Sequence, residues 1–124
     1  LRCMGKKDPT GKAKKLRLGN LRAHILVCSA GKCATKPEQK NAVKGLRKQL
    51  RERGLTKGKG GVICTAVGCL QVCGGGPIAV VWPDGTWYRD ATSKNLTRIL
   101  EEHIVGGQVV KELLIAGPKT ARGV

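Results

Sequence analysis

Ile78-Ala79-Val80-Val81-Trp82-Pro83-Asp84-Gly85-Thr86-Trp87-Tyr88-Arg89 holds two β-type runs split by a turn. Branched and aromatic residues fill 78–82 and 86–89, and Pro83-Asp84-Gly85 supplies the reversal, so the stretch predicts an antiparallel hairpin. Working upstream, 66–77 is a loop dense in Gly and Cys, 62–65 reads as a strand, and Gly58-Lys59-Gly60-Gly61 as a turn. Before that turn lies a well-signalled helix. Thr35 and Glu38 have capping-box spacing, Pro37 sits in the first turn, and Gly54 follows Arg51 and Arg53 as a C-cap. Val43, Leu46 and Leu50 form its apolar stripe, and its outer face carries Lys40, Lys44, Arg47, Lys48 and Arg51. Residues 23–27 form a short apolar run, the first strand of a compact domain. Downstream of the hairpin, a second helix runs from about Thr92 or Ser93 to Ile104. Leu96, Ile99, Leu100, His103 and Ile104 face inward, and Gly106-Gly107 ends it. A last short helical segment carries Val109, Val110, Leu113 and Leu114.

The order is β-α-β-β-β-α. Its first β-α-β unit implies two parallel strands joined by a right-handed crossover, and the hairpin adds an antiparallel pair. This is a thioredoxin-like α/β arrangement: a four-stranded mixed sheet flanked by helices. It occupies residues 23–117, between a basic arm (1–22) and a short basic tail (118–124). No internal repeat is visible.

Six cysteines are present: Cys3, Cys28, Cys33, Cys64, Cys69 and Cys73. Two pairs, Cys28-x4-Cys33 and Cys69-x3-Cys73, sit in loops that leave parallel strands. Parallel neighbours end side by side, so four thiols can converge on one centre. Three chemistries compete for them. Disulfides need an oxidising compartment, and no secretory signal is visible. A thioredoxin-like dithiol needs Cys-x-x-Cys at a helix N-terminus, which the chain lacks. Metal remains: structural zinc suits x2–x4 spacings and a [2Fe–2S] cluster tolerates both x3 and x4, so spacing favours iron–sulfur and leaves zinc open. Cys64, on a strand, reads as a buried core thiol, with an alternative-ligand role as the second reading. Cys3, in the arm, reads as a bystander. His24 on a strand and His103 on an inner helix face read as packing residues rather than iron ligands. Trp87 and Tyr88 alternate to opposite faces, one packed and one exposed.

The residues between the strands say more. Cys69-Leu-Gln-Val-Cys73-Gly-Gly-Gly-Pro77, the Pro83-Asp-Gly-Thr-Trp87-Tyr88 hairpin and Glu102-His103-Ile-Val-Gly106-Gly107 strongly resemble the thioredoxin-like [2Fe–2S] ferredoxin family. That family includes the ferredoxin-like small subunit of respiratory complex I and of related hydrogenases. The likeness runs from about His24 to Leu114. It implies a [2Fe–2S] cluster whose ligands are Cys28, Cys33, Cys69 and Cys73, with the first two on one iron and the last two on the other. It implies an electron carrier or relay subunit without substrate chemistry of its own, and a homodimer among its assembly states. The chain departs from the family at Gln71, where the pattern Cys-Leu-Gly-x-Cys has Gly. Around the cysteines, Gly74, Gly75 and Gly76 are expected to let backbone N–H groups approach the sulfurs, and Lys32 to raise the reduction potential.

Charge is the second departure, because soluble ferredoxins are usually acidic. The chain has 124 residues, 24 Lys and Arg against 8 Asp and Glu, a formal charge of +16 and a pI near 10.1. The arm carries Arg2, Lys6, Lys7, Lys12, Lys14, Lys15, Arg17 and Arg22, and the tail adds Lys119 and Arg122. Such a balance calls for an acidic redox partner or larger complex, or for nucleic acid held through the arm. The alternative function is therefore a basic assembly protein, in an RNA-containing complex, with the cluster or a zinc as structural element. Three aromatics, Trp82, Trp87 and Tyr88, give no base-stacking platform. No run of about 18 apolar residues is present, which excludes a spanning helix. Paired carboxylates, a Ser-His-Asp set and a phosphate-binding Gly loop are all missing. The first residue is Leu1, so the chain reads as processed, truncated or extended upstream of Met4. The expected location is cytoplasm or an organelle interior, mitochondrial matrix or plastid stroma, rather than outside the cell.

Overall fold

The computed structural model describes residues 8–15, 21–29, 35–56, 60–72 and 74–117. Cys3, Lys32, Cys33, Cys73, Lys119 and Arg122 lie outside the described residues. A short helix α1 (Thr10–Lys15) stands in the arm and buries none of its residues. The domain follows as β1 (Ala23–Cys28), α2 (Lys36–Glu52), β2 (Val62–Val67), β3 (Ala79–Trp82), β4 (Thr86–Tyr88), α3 (Ser93–Ile99), a π-helical turn (Leu100–Val105), a 3-10 turn (Lys111–Leu113) and β5 (Leu114–Ala116).

The sheet order is β2-β1-β3-β4-β5. β1 and β2 are parallel, as the crossover requires, and every other neighbouring pair is antiparallel. The sheet thus has five strands, not four. Its fifth strand replaces the second half of the expected last helical segment, which shrinks to one 3-10 turn. The reason is non-local: Leu114 and Ala116 pair with Tyr88 and Trp87, and Arg89 N–H and guanidinium donate to the Leu113 and Leu114 carbonyls. A three-residue segment gains ladder bonds there that an isolated turn of helix lacks.

Helix α2 starts as its sequence predicts. The Glu38 N–H donates to Thr35 Oγ1 at 3.3 Å, and Glu38 Oε1 accepts from the Thr35 N–H at 3.0 Å. Gly54, past its end, takes φ +68°, which glycine tolerates without strain. Gln39, Ala42, Val43, Leu46 and Leu50 make its buried face. The four apolar ones join Ile25 and Val27 of β1, Val62 and Cys64 of β2, Val81 of β3, and Leu96, Ile99 and Leu100 of the second helix in one core. Gly45 lets the two helices touch: a Cβ there would stand 2.0 Å from Ser93 Oγ. The Gly106-Gly107 helix end has a similar cause. A Cβ on Gly106 would meet the Glu102 carbonyl oxygen at 2.7 Å, and Gly107 adopts φ +77°.

Candidate metal centre

Strand order alone brings the 68–77 loop to Cys28. β2 ends beside β1, with Cys28 in register with Val67, while β3 starts on the other side of β1. The 68–77 loop must therefore cross the C-terminal end of β1, where Cys28 sits. The crossing is pinned by backbone bonds. The Ser29 N–H donates to Val67 O at 2.7 Å, Cys28 N–H to Ile78 O at 3.0 Å, and Ala91 N–H to Pro77 O at 2.8 Å.

Cys28 is fully buried, 0% exposed. Leu70, Val72, Ile78 and Trp87 pack around it as a separate apolar cluster on the sheet face opposite the main core. Two N–H groups point at its sulfur: the Ile78 backbone at 3.2 Å and Gln39 Nε2 at 3.6 Å. Cys69 lies in the crossing loop and is exposed. The Gln71 N–H donates to its sulfur at 3.2 Å. Donors aimed at sulfur stabilise thiolate over thiol, and a dry wall on one side with solvent on the other suits a centre that exchanges electrons at its exposed edge. These two sites fit a thiolate-held cluster. Among the described residues no three Cys, His, Asp or Glu side chains gather to hold a metal; Cys33 and Cys73 lie outside them.

Among the described residues the donors on the Cys28 and Cys69 sulfurs include Gln71, Ile78 and Gln39. Gly74 and Gly75 supply loop geometry, with φ of +142° and +66°. Gln39 had a visible signal: it is the polar member of an otherwise apolar stripe with Val43, Leu46 and Leu50. Gln71 also adopts φ +68°, the conformation that a Gly would take at this point of the family pattern without strain. A left-handed non-Gly residue costs about 1–2 kcal/mol, partly offset by the extra freedom Gly gains in the unfolded chain. Gln71→Gly is accordingly expected to raise stability by about 0.5–1 kcal/mol, read as an upward shift of the urea midpoint. A downward shift would mean that the Gln71 side chain holds the loop.

The other polar candidates fall outside this centre. Cys64 is buried against the core, and burial, opposed weakly by Arg47, pushes its thiol up to about 11. A thiol set among aliphatic side chains of the main core is what a packing cysteine shows. The His24 Nε2 lies 2.6 Å from Thr65 Oγ1, and burial holds the imidazole below its usual range. His103 is buried between Tyr88 and Asp84, with Nδ1 2.7 Å from the Tyr88 hydroxyl and Nε2 2.6 Å from Asp84 Oδ2. Alternation on β4 behaves as expected: Tyr88 enters the core and Trp87 turns to the opposite face, but Trp87 is half-buried beside Cys28 rather than exposed. The large exposed aromatic is Trp82, 54% accessible.

Known proteins supply the remaining comparison. A family model described as thioredoxin-like [2Fe-2S] ferredoxin matches residues 18–103. A protein named "Ferredoxin, 2Fe-2S" from Clostridium pasteurianum is 34% identical over 100 residues, covering 77% of this chain and 98% of that protein. Another of that name, from Aquifex aeolicus, is 39% identical over 57 residues, covering 46% of this chain and 51% of that protein. The solved structure of a thioredoxin-like [2Fe-2S] ferredoxin from Aquifex aeolicus superposes with a TM-score of 0.66 at 27% identity. It covers 78% of this chain and 93% of that one. None of these likenesses supports the alternative reading as an assembly protein or zinc protein.

Proposed function

The chain belongs to the thioredoxin-like [2Fe–2S] ferredoxin family, and on that footing we propose that it is a one-electron carrier or relay whose cluster is held by Cys28, Cys33, Cys69 and Cys73. Family members carry a [2Fe–2S] cluster, and electron transfer is the activity that the family implies. Bound here, the cluster supplies a one-electron couple, and the chemistry is its own. The observation that supports the ligand assignment is that Cys28, at the end of β1, and Cys69, in the loop leaving the adjacent β2, each accept a backbone N–H on sulfur.

The chain's residues divide the remaining work. Leu70, Val72, Ile78 and Trp87 keep water from Cys28. The Ile78 N–H and Gln39 Nε2 place positive dipole against its sulfur, which favours the more negatively charged redox state. Cys69 provides the exposed edge. Among the described residues no helix is long and apolar enough to cross a membrane.

The test is a visible spectrum of protein purified without oxygen, taken before and after dithionite, with iron and zinc counted in the same sample. The expected result is a red-brown spectrum that bleaches, with two irons per chain. A colourless protein carrying one zinc would overturn the proposal.

A further inference from the structure

Charge on α2 is sorted by angle. At 100° per residue, Lys36, Arg47, Lys40, Arg51 and Lys44 fall within a sector of about 80°, while the helix's acids, Glu38 and Glu52, fall on the far side. None of the five cations enters an ion pair among the described residues. The ion pairs lie elsewhere: Arg53–Glu101, Arg98–Glu102 and Arg98–Glu112. A single-signed stripe therefore stands uncompensated along one helix.

That stripe overhangs an open seam. β2 is an edge strand. Its Ala66, on the same face as Val62 and Cys64, is too small to fill the space against Val43. The result is a groove of about 500 Å³ with an apolar floor and Lys36, Lys40, Lys44 and Arg47 at its rim. The Arg47 guanidinium is held in place by donating twice to the Cys64 carbonyl, at 3.3 and 3.2 Å. Past Arg47 the seam continues as a second hollow of about 320 Å³ beside Arg51 and Thr56.

The groove also touches the metal centre. Gln39 lines it, and Gln39 Nε2 is the group that donates to Cys28 Sγ. Ser29, the residue after Cys28, lines it too. A molecule seated in the groove thus stands one side chain away from a proposed ligand sulfur.

We infer that the α2–β2 groove is the docking face for a redox protein with an acidic surface, which exchanges one electron with the cluster through the Gln39–Cys28 contact. This rests on the electron-carrier reading above. One electron leaves the reduced cluster and reduces the partner's acceptor by one unit; no bond or proton is transferred. Charge complementarity selects the partner's sign, and the apolar floor selects a protein surface over a bare polyanion. None of the chain's aromatics lines the groove, so unpaired bases find nothing there to stack on.

The experiment uses the holoprotein and two haem proteins of opposite charge, acidic cytochrome b5 and basic cytochrome c. Binding of each is measured by calorimetry, and haem reduction by the dithionite-reduced protein is followed by stopped flow, both across a salt series. Lys40→Glu/Lys44→Glu is compared with Lys94→Glu/Lys111→Glu, which changes the net charge equally on other elements. The expected result is preference for cytochrome b5 at low salt. The groove variant should lose about 10-fold in affinity and rate, and the control less than about 3-fold, with the differences fading near 0.5 M salt, where the screening length falls below about 5 Å. Equal losses in both variants, or preference for cytochrome c, would overturn the docking face. Binding to oligo(dT) that is tighter than to cytochrome b5 and is lost in the groove variant would overturn the acidic-protein assignment in favour of nucleic acid. A protein without a dithionite-reducible chromophore would instead sink the carrier reading, and calorimetry would still read the surface independently.

Discussion

Cys28→Ala is expected to abolish the visible chromophore and take iron from two per chain to near zero, whereas Cys64→Ala should keep both. The contrast follows from where the two thiols point. Cys28 closes β1 at the end of the sheet that the 68–77 loop crosses, inside an apolar collar, with two N–H donors on its sulfur. Removing the sulfur takes away a proposed ligand that no described group can replace, because the collar is hydrocarbon and both imidazoles are engaged elsewhere. Cys64 points from β2 into the main core among aliphatic side chains, where burial favours the neutral thiol. Its loss costs packing only, about 1 kcal/mol. Far-UV circular dichroism separates cluster loss from unfolding in the Cys28 variant. Full iron in folded Cys28→Ala would remove Cys28 from the ligand set, and loss of iron in Cys64→Ala would put Cys64 into it.

What the sequence revealed was local. The capping box of α2, the Pro-Asp-Gly hairpin and the Gly106-Gly107 helix end are each settled by contacts within a few residues, so their signals survive without the fold. The arm held such a signal too. Asp8-Pro9 opens α1, with Asp8 Oδ1 accepting from the Thr10 N–H at 2.9 Å. Gly5, Pro9, Gly11 and Gly19, residues that usually break a helix, surround that signal. β5 was not legible, because its justification is the open edge of β4 some 27 residues earlier, and hydrophobic spacing in 109–114 is as consistent with helix as with strand. Of the metal centre, the convergence of the loops carrying Cys28 and Cys69 follows from strand order and was legible. The donors on sulfur were not, since hydrogen bonds spanning 11 and 50 residues of sequence leave no periodic trace. The basic face of α2 was visible as composition. That it borders an edge-strand groove touching Cys28 required the small side chain at Ala66 to be placed beside it.

Tyr88→Phe is expected to lower stability by about 2–4 kcal/mol and the melting temperature by about 10–20 °C, while leaving the chromophore intact. The substitution keeps the ring and removes one oxygen, so it opens no large cavity and the whole effect is polar. The Tyr88 hydroxyl accepts the Val110 N–H at 3.1 Å and donates toward His103 Nδ1 at 2.7 Å, and His103 Nε2–H in turn donates to Asp84. In that chain each donor has one acceptor. Val110 is 1% exposed and His103 7%, so water reaches neither end easily. Deleting the oxygen strands a buried backbone donor and a buried ring nitrogen together, at about 1–3 kcal/mol each. The pair should also be non-additive. In Tyr88→Phe/His103→Leu the ring nitrogen no longer needs a partner, so the double variant should cost less than the sum of the singles. Cluster retention follows from the pleat: Tyr88 faces the main core, whereas Trp87, its neighbour, faces Cys28. Thermal unfolding of the anaerobic protein, followed in the far ultraviolet and at the visible band, reads both quantities. A melting temperature within about 2 °C of the parent, under 1 kcal/mol for a domain of this size, would show that the hydroxyl is dispensable. Bleaching without loss of stability would show that the Tyr88 network supports the metal centre rather than the core.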